Sequence, residues 1–346
     1  MYNSGVDSVC TPQQTTGLLE RPVTPAASQV FRGGEVPVCG DAILAPMDGF
    51  SDWPFRSLCR TLGSAMSYTE FINAIDVLHG HPYLYEKLAF LPEERPVVYQ
   101  IFDNDPERLT TAALRLQEHQ PDIMDVNLGC AARTVSGRGA GAGLLREPEK
   151  IAAIFQSLTR ALKIPVTAKI RLGWDEASRN YRQVARLLEE NGAAAIAVHG
   201  RTRDQGLRGQ ADWDAIAEIR QAVSVPVIAN GDVRTVADID QIKAHTGCPA
   251  VMIGRGAIGN PWIFSRLDKD QVPPETVRHI IHTHLGRVCD FYGPKYGLIL
   301  FRKFTSRYLR TIPVSPARRE QLMTTEDIDE YLSLIDQVFD YKEGVR

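Results

Sequence analysis

Short apolar runs alternate along most of the chain with longer segments whose apolar residues recur at helical spacing. Eight of these runs are continuous and rich in β-branched residues, which is typical of strands covered on both faces, as in a parallel sheet. The predicted strands are residues 42–45, 67–69, 96–101, 122–126, 165–170, 194–198, 225–229 and 250–253. The predicted helices between them include residues 106–118, 147–161, 180–191, 213–222 and 236–245.

Eight strands that alternate with helices predict an α/β fold, a (β/α)8 TIM barrel. A doubly wound open sheet is the alternative, because the strand count alone does not decide between them. After residue 270 only helical periodicity remains, at residues 277–291, 298–309 and 328–341. We therefore expect a poorly ordered extension at 1–35, a barrel at 36–270 and an all-α domain of three or four helices at 271–346.

Polar or small residues follow nearly every predicted strand, where the active sites of barrels are built. This position favours the barrel over the open sheet. The residues concerned are Pro46, Met47, Asp48, Glu70, Gln100, Asn127, Cys130, Lys169, Arg171, His199, Arg201, Asn230, Gly231, Asp232, Gly254 and Arg255.

Cys130 stands between a predicted strand and a loop with glycine at every second position from Gly137 to Gly143. A thiol at a strand end before a glycine-rich loop is placed for chemistry. Most free cysteines are nevertheless buried and inert. The residues alone leave both interpretations open.

The ends of the last two strands favour a phosphate site, since glycine amides and the Arg255 guanidinium follow them. Tight turns, which any barrel needs, are the alternative explanation of the glycines, but they do not account for the charge of Arg255. Lys169 ends an apolar run, where it needs either a structural salt bridge to Asp125 or Glu70, or an anionic cofactor. His199 is either a core histidine or, with Lys169 and Gln100, part of a ring of donors for a polar heterocycle.

Composition narrows the class of protein further. Six cysteines lie far apart without a CxxC pair, which suggests neither a disulfide framework nor a zinc site. No spacing supports a metal site or a Ser-His-Asp triad. No apolar run is long enough to cross a bilayer, so we expect a cytoplasmic protein without membrane contact. The net charge of -3 means that any RNA partner needs a local basic surface.

Taken in order, these motifs resemble the tRNA-dihydrouridine synthase family. The resemblance runs from residue 42 to 264 and rests on the ordered blocks Ala-Pro46-Met47-Asp48-Gly, Asn127-Leu-Gly-Cys130, Lys169-Ile-Arg-Leu-Gly-Trp, His199-Gly-Arg-Thr, Asn230-Gly-Asp and Ile-Gly254-Arg-Gly. Within the family, the blocks around Arg133, Arg171 and Gln205 look most like the bacterial C-type branch, which implies position 16 of the D-loop as the target.

The resemblance implies an enzyme that passes hydride from NADPH through FMN to a tRNA uridine, with Cys130 as the proton donor. It implies that FMN is held by Pro46, Met47, Asp48, Gln100, Lys169, His199, Asn230, Gly231, Asp232, Gly254 and Arg255. The family usually has proline after this cysteine, whereas Ala131 stands here, so a more mobile loop is expected.

A tRNA substrate requires contacts with the flipped base and with phosphates. We expect Asn127 to bind the base, and Arg133, Arg201, Arg302 and Lys303 to contact RNA. We further expect a monomer without an obligate protein partner. Two rival functions remain open, namely a flavin-dependent dehydrogenase of a free pyrimidine and a non-catalytic RNA-binding barrel.

Overall fold

The computed structural model describes residues 29–340 of the chain. These residues form two compact units, one made of the residues up to 233 with 237–254, and one made of 234–236 with those from 255 onward. The division lies earlier in the chain than the predicted boundary between residues 270 and 271.

Eight parallel strands of the first unit form a barrel in which neighbours in space are mostly neighbours in sequence. The last strand pairs with the first, and the amide of Ala65 donates to the carbonyl of Ala42 at 2.8 Å where the first two strands meet. The predicted (β/α)8 barrel is thus confirmed, and the open sheet is wrong. The strands are β3 (Ala42–Leu44), β4 (Ser67–Tyr68), β6 (Val97–Phe102), β7 (Ile123–Leu128), β8 (Val166–Arg171), β9 (Ile196–His199), β10 (Val227–Asn230) and β11 (Ala250–Ile253).

Helices with one buried apolar face separate the barrel strands, as the periodicity predicts. The five predicted helices are present as α4 (Pro106–Gln117), α6 (Pro148–Ala161), α7 (Tyr181–Glu190), α8 (Trp213–Ala222) and α9 (Val236–Thr246). Shorter elements that the sequence did not indicate are strand β5 (Ile72–Asn73), which adds to β6, and helices α1 (Trp53–Thr61), α2 (Ala74–His79), α3 (Leu84–Leu88) and α5 (Arg133–Ser136), with 3-10 turns at Pro92–Glu94 and Gly141–Arg146.

A hairpin of β1 (Gln29–Gly33) and β2 (Val36–Cys39) precedes the barrel. Its Phe31 and Val38 belong to the same buried apolar cluster as Ile43 and Ile123, at the amino ends of the barrel strands. The expectation of a poorly ordered extension is wrong for residues 29–35, because the burial of Phe31 holds them in place. The rest of the predicted extension, residues 1–28, lies outside the described residues.

The second unit is helical, as predicted, and contains four long or medium helices beyond residue 273. α11 packs along α12, and α14 contacts α11, α12 and α13. Its elements are α10 (Arg255–Ile258), α11 (Pro274–Tyr292), α12 (Pro294–Tyr308), α13 (Pro316–Thr324) and α14 (Ile328–Asp340), with 3-10 turns at Pro261–Ser265 and Lys269–Gln271.

Four cysteines, Cys59, Cys130, Cys248 and Cys289, are free, whereas Cys39 is disulfide-bonded, which the cysteine spacing did not indicate.

Candidate active site

A chain of buried hydrogen bonds crosses the barrel near the carboxyl ends of β6, β7 and β8. The side-chain amide of Asn127 donates to Oε1 of Gln100 at 2.9 Å, and Nε2 of Gln100 donates to Oδ2 of Asp125 at 2.8 Å. The hydroxyl of Thr167 donates to the other carboxylate oxygen of Asp125 at 2.6 Å. Because the Asp125 carboxylate only accepts when ionised, it sets the direction of both amides.

The same series of hydrogen bonds continues from Asn127 to the backbone of Cys130. Oδ1 of Asn127 accepts from the backbone amides of Gly129 and Cys130, at 3.0 and 2.8 Å. The Arg171 guanidinium donates to the carbonyl of Gly129 at 2.7 Å. Strand β7 therefore delivers Cys130 on a backbone that is held from two sides.

Cys130 is partly buried and packs against the apolar cluster of Phe102, Val135 and Ala140. Burial raises its pKa above the ordinary value, although the positive charges of Arg171 and Lys169 act in the opposite direction. The thiol consequently carries its proton at neutral pH, which suits a proton donor better than a nucleophile.

Lys169 projects from β8 and donates to Oδ1 of Asn230 at 3.1 Å. Asn230 is fixed in turn, because its amide nitrogen donates to the carbonyl of Met252 at 2.7 Å. Of the two alternatives for Lys169, the structural salt bridge to Asp125 or Glu70 does not form, and no carboxylate among residues 29–340 pairs with Lys169. Withdrawal from water lowers the pKa of Lys169 to about 8.

Arg201 lies inside the barrel and is only 1% exposed, so it belongs to no exposed RNA-binding surface in this structure. Its guanidinium donates to both carboxylate oxygens of Asp232, at 2.8 and 2.6 Å. It also lies 3.4 Å from Nε2 of His199, which must accept because a guanidinium only donates. This pairing fixes the imidazole at the end of β9.

The remaining predicted FMN residues follow the first strand and the last two strands of the barrel. A Cβ at Gly254 would lie 3.4 Å from Sδ of Met47, an ordinary van der Waals distance, so Gly254 and Met47 are neighbours. Pro46 and Asp48 flank Met47, and the Asp48 carboxylate accepts from Lys87 at 2.9 Å. Gly231 follows β10 directly, and Arg255 is the exposed first residue of α10 in the second unit.

The predicted RNA-contacting residues are dispersed. Arg133 is exposed at the start of α5, after the cysteine. In the second unit, Arg302 donates to the carbonyls of Thr324 and Thr325, at 3.3 and 2.7 Å, and so holds the end of α13. Lys303 lies over the ring of Phe304, 5.2 Å from its centroid.

Sequence reasoning missed the roles of Asp125, Thr167 and Arg171 as supports of the site. Asp125 was considered only as a partner of Lys169. A carboxylate in the middle of an apolar run is itself a signal, because such a group is buried only where donors meet it. Burial raises the pKa of Asp125 to about 6, against the bonds from Thr167 and Gln100.

The chain matches the model of the family described as Dihydrouridine synthase (Dus) over residues 43–343. The chain belongs to the dihydrouridine synthase family. It is 38% identical over 318 residues to the tRNA-dihydrouridine synthase B of Pseudomonas aeruginosa, covering 90% of this chain and 96% of that protein. It is 33% identical to the tRNA-dihydrouridine synthase B of Escherichia coli K12, covering 90% and 99%.

The prediction of a tRNA-dihydrouridine synthase is thereby confirmed, and the membership favours it over the two rival functions. The expected C-type branch is wrong, because these relatives carry the B designation. The Arg-Leu-Gly-Trp and Arg-Thr-Val blocks do not separate the branches, and the expected position 16 loses its support. Among solved structures, a 2-naphthoyl-CoA reductase complex shares the fold, with a TM-score of 0.54 at 12% identity over 70% of this chain and 52% of that one.

No group of three or more His, Cys, Asp or Glu side chains among residues 29–340 is placed to hold a metal ion. Within the same range, no helix has the length and apolar character needed to cross a bilayer.

Proposed function

We propose that this chain reduces a tRNA uridine to 5,6-dihydrouridine with FMN at the carboxyl end of the barrel, with NADPH as the reductant and with Cys130 as the proton donor. The observation that carries this proposal is the placement of a protonated thiol, held by its own backbone, beside a cluster of amide and cationic donors.

The donors at the barrel mouth fit FMN. Gln100, Lys169, His199 and Asn230 come from four different strands and offer hydrogen-bonding groups of the kind that a polar heterocycle requires. Lys169 is a cation without a carboxylate partner among the described residues. A flavin ring gains negative charge on reduction, so it would supply the anionic partner that Lys169 lacks.

The residues that would hold FMN are those that the family resemblance implies, namely Pro46, Met47, Asp48, Gln100, Lys169, His199, Asn230, Gly231, Asp232, Gly254 and Arg255. Bound FMN would supply the hydride, taken from NADPH, that is delivered to C6 of the uracil.

The chain's own contribution is the proton. Sγ of Cys130 donates it to C5 of the uracil as the C5–C6 double bond is lost, and the resulting thiolate recovers a proton from water. Arg171 and Lys169 stabilise that thiolate, since both lie close enough to act on its charge. General acid catalysis of this kind contributes about 10²–10⁴-fold.

Substrate placement falls to Asn127 and the loop after it. A uridine in folded tRNA is stacked and must be flipped out before reaction. Asn127 is 6% exposed and near the cysteine, so it orients the base or the loop that meets it. Arg133, Arg302 and Lys303 stay predicted RNA contacts, whereas Arg201 is buried in its ion pair with Asp232. A cytoplasmic monomer stays a prediction.

Replacement of Cys130 tests the proposal. We expect Cys130→Ala to lose about a hundredfold or more of dihydrouridine formation, measured by mass spectrometry of digested tRNA. Flavin content and bleaching of the flavin by NADPH should stay at wild-type values, because the thiol acts only in the second half of the reaction. Cys289→Ala removes another free, partly buried thiol and serves as the matched control. Full activity of Cys130→Ala would refute the assignment of the proton donor.

A further inference from the structure

Trp174, in the loop after β8, carries two arginine side chains over its ring. The guanidinium carbons of Arg146 and Arg203 lie 4.0 and 4.4 Å from the ring centroid. Arg146 ends the 3-10 turn Gly141–Arg146, and Arg203 follows β9. Three loops, after β7, β8 and β9, therefore meet at one indole at the carboxyl end of the barrel.

The loop that bears Trp174 is held rigidly. The amides of Arg203 and Asp204 donate to the carbonyls of Gly173 and Trp174, both at 2.9 Å. Gly173 has a φ of 150°, and a Cβ there would lie 2.7 Å from the carbonyl oxygen of Ser178, so only glycine fits. The indole is thus a fixed support.

The two guanidinium groups keep most of their donors available. A stacked guanidinium uses its face, which leaves the N–H groups of its rim for planar recognition of phosphate. Arg203 donates a side-chain hydrogen bond only from Nε, to the hydroxyl of Ser136 at 3.1 Å. Within residues 29–340, Arg146 makes no ion pair and no side-chain hydrogen bond. The two like charges share one ring and have no carboxylate partner among the described residues, so a bound anion would relieve their repulsion.

The stack is connected to the catalytic loop. Ser136, which binds Arg203, donates to the carbonyl of Ala132, two residues after Cys130. Arg171, on the strand that leads to Trp174, donates to the carbonyl of Gly129. An anion bound at the stack consequently lies on the same loop system that positions the thiol.

We propose that Arg146, Trp174 and Arg203 form a phosphate clamp, which binds the RNA backbone next to the uridine that enters the site. The clamp rests on the proposed function, because it assigns a role in holding that substrate. Contacts to phosphate position a nucleic acid without reading its sequence. The clamp therefore fixes the register of the strand while the target base turns toward Cys130.

The test measures binding of an unmodified tRNA transcript to the full-length holoenzyme over a series of salt concentrations. Each phosphate contact that is lost reduces the slope of log K against log salt by about one. We expect Arg146→Ala to weaken binding about tenfold near physiological salt and to flatten the slope by about one. Arg146→Ala with Arg203→Ala should flatten it by about two.

Controls separate the clamp from general charge and from folding. Arg160 is an equally exposed arginine at the end of α6, at the opposite end of the barrel, so Arg160→Ala should leave the slope unchanged. Trp174→Leu keeps both charges, and we expect it to weaken binding several-fold with a nearly unchanged slope. Flavin bleaching by NADPH should be normal in every variant and so shows that the barrel is intact.

Equal affinities and slopes for Arg146→Ala, Arg160→Ala and the wild-type enzyme would overturn the clamp, while dihydrouridine formation by the wild type would leave the proposed function standing. Failure of the wild-type enzyme to bind tRNA or to form dihydrouridine would instead overturn the proposed function and the clamp together.

Discussion

The two ends of the barrel are built from the same eight strands, yet they differ in chemistry. At the amino end, the hairpin contributes Phe31 and Val38 to an apolar cluster that extends through the barrel as far as Met47. The carboxyl end presents amides, a lysine and a thiol, with Gln100, Asn127 and Lys169 from neighbouring strands. Since the strands are parallel, each one passes from the first environment into the second along its length.

Strand β7 shows the change within one element. Ile123, near its start, belongs to the apolar cluster, whereas Asp125 and Asn127 belong to the hydrogen-bonded chain that leads to Cys130. The difference teaches that stability and catalysis are assigned to different ends. Substitutions at one end should change the free energy of unfolding, and substitutions at the other should change turnover or ligand binding.

The largest expected effect is at the carboxyl end, in Lys169→Met. We expect FMN retention and dihydrouridine formation to fall by about a hundredfold or more, because the charge that develops on a reduced flavin would lose its counter-ion. Stability should be unchanged or higher, since a cation with a lowered pKa is removed from a poorly solvated place.

Flavin content by absorbance, turnover and urea unfolding are the measurements. Lys163→Met is the matched control, because Lys163 is exposed and precedes the same strand at its amino end. Normal flavin content in Lys169→Met would show that the lysine serves the barrel rather than the cofactor.

Phe31→Ala should have the opposite effect, lowering the unfolding free energy and leaving turnover unchanged. Its side chain is buried, and truncation of a buried phenylalanine costs about 3–5 kcal/mol of unfolding free energy. Turnover per folded enzyme should stay normal, because the hairpin closes the end remote from Cys130. Urea unfolding and assays well below the melting temperature check both statements.

Tyr85→Ala is the control for Phe31→Ala, as it removes an aromatic ring that is 83% exposed. A Phe31→Ala enzyme with normal stability would mean that the hairpin is not part of the folding unit. A stable variant with reduced turnover would mean that the two ends are coupled.

The barrel was predictable from sequence because its strands are covered on both faces and appear as continuous apolar runs. The hairpin was not, since it is short and follows a stretch rich in Ser, Thr and Pro, which reads as disordered. Motifs at the strand ends likewise indicated Cys130 and Lys169 as parts of one site.

Contacts between residues that are distant in sequence could not be predicted. The pairing of Arg201 with Asp232 joins residues that β9 and β10 bring together, so the sequence suggested an RNA-binding arginine where the structure has a buried ion pair. The position of Arg146 over Trp174 depends in the same way on three loops that meet only in the folded barrel.

The smallest expected effect concerns Asp125, on which the directions of the Gln100 and Asn127 amides depend. In Asp125→Asn, an amide nitrogen can replace the carboxylate oxygen that faces Nε2 of Gln100. If Gln100 turns to accept, Asn127 turns too, and its nitrogen then faces the amides of Gly129 and Cys130. We expect turnover to fall about tenfold through this misplacement, with flavin bleaching retained.

The pH dependence of the unfolding free energy tests whether the ionisation of Asp125 is involved. Burial raises the pKa of Asp125 from 3.8 to about 6, so the folded protein binds this proton more tightly than the unfolded chain does. The stabilisation is complete below about pH 4 and is lost as pH rises through about 6, at most about 3 kcal/mol. Asp125→Asn lacks this loss, whereas Asp122→Asn, at the amino end of β7, keeps it. Parallel stability curves for Asp125→Asn and wild type between pH 4 and 7 would mean that Asp125 does not titrate in this range, and would contradict its raised pKa.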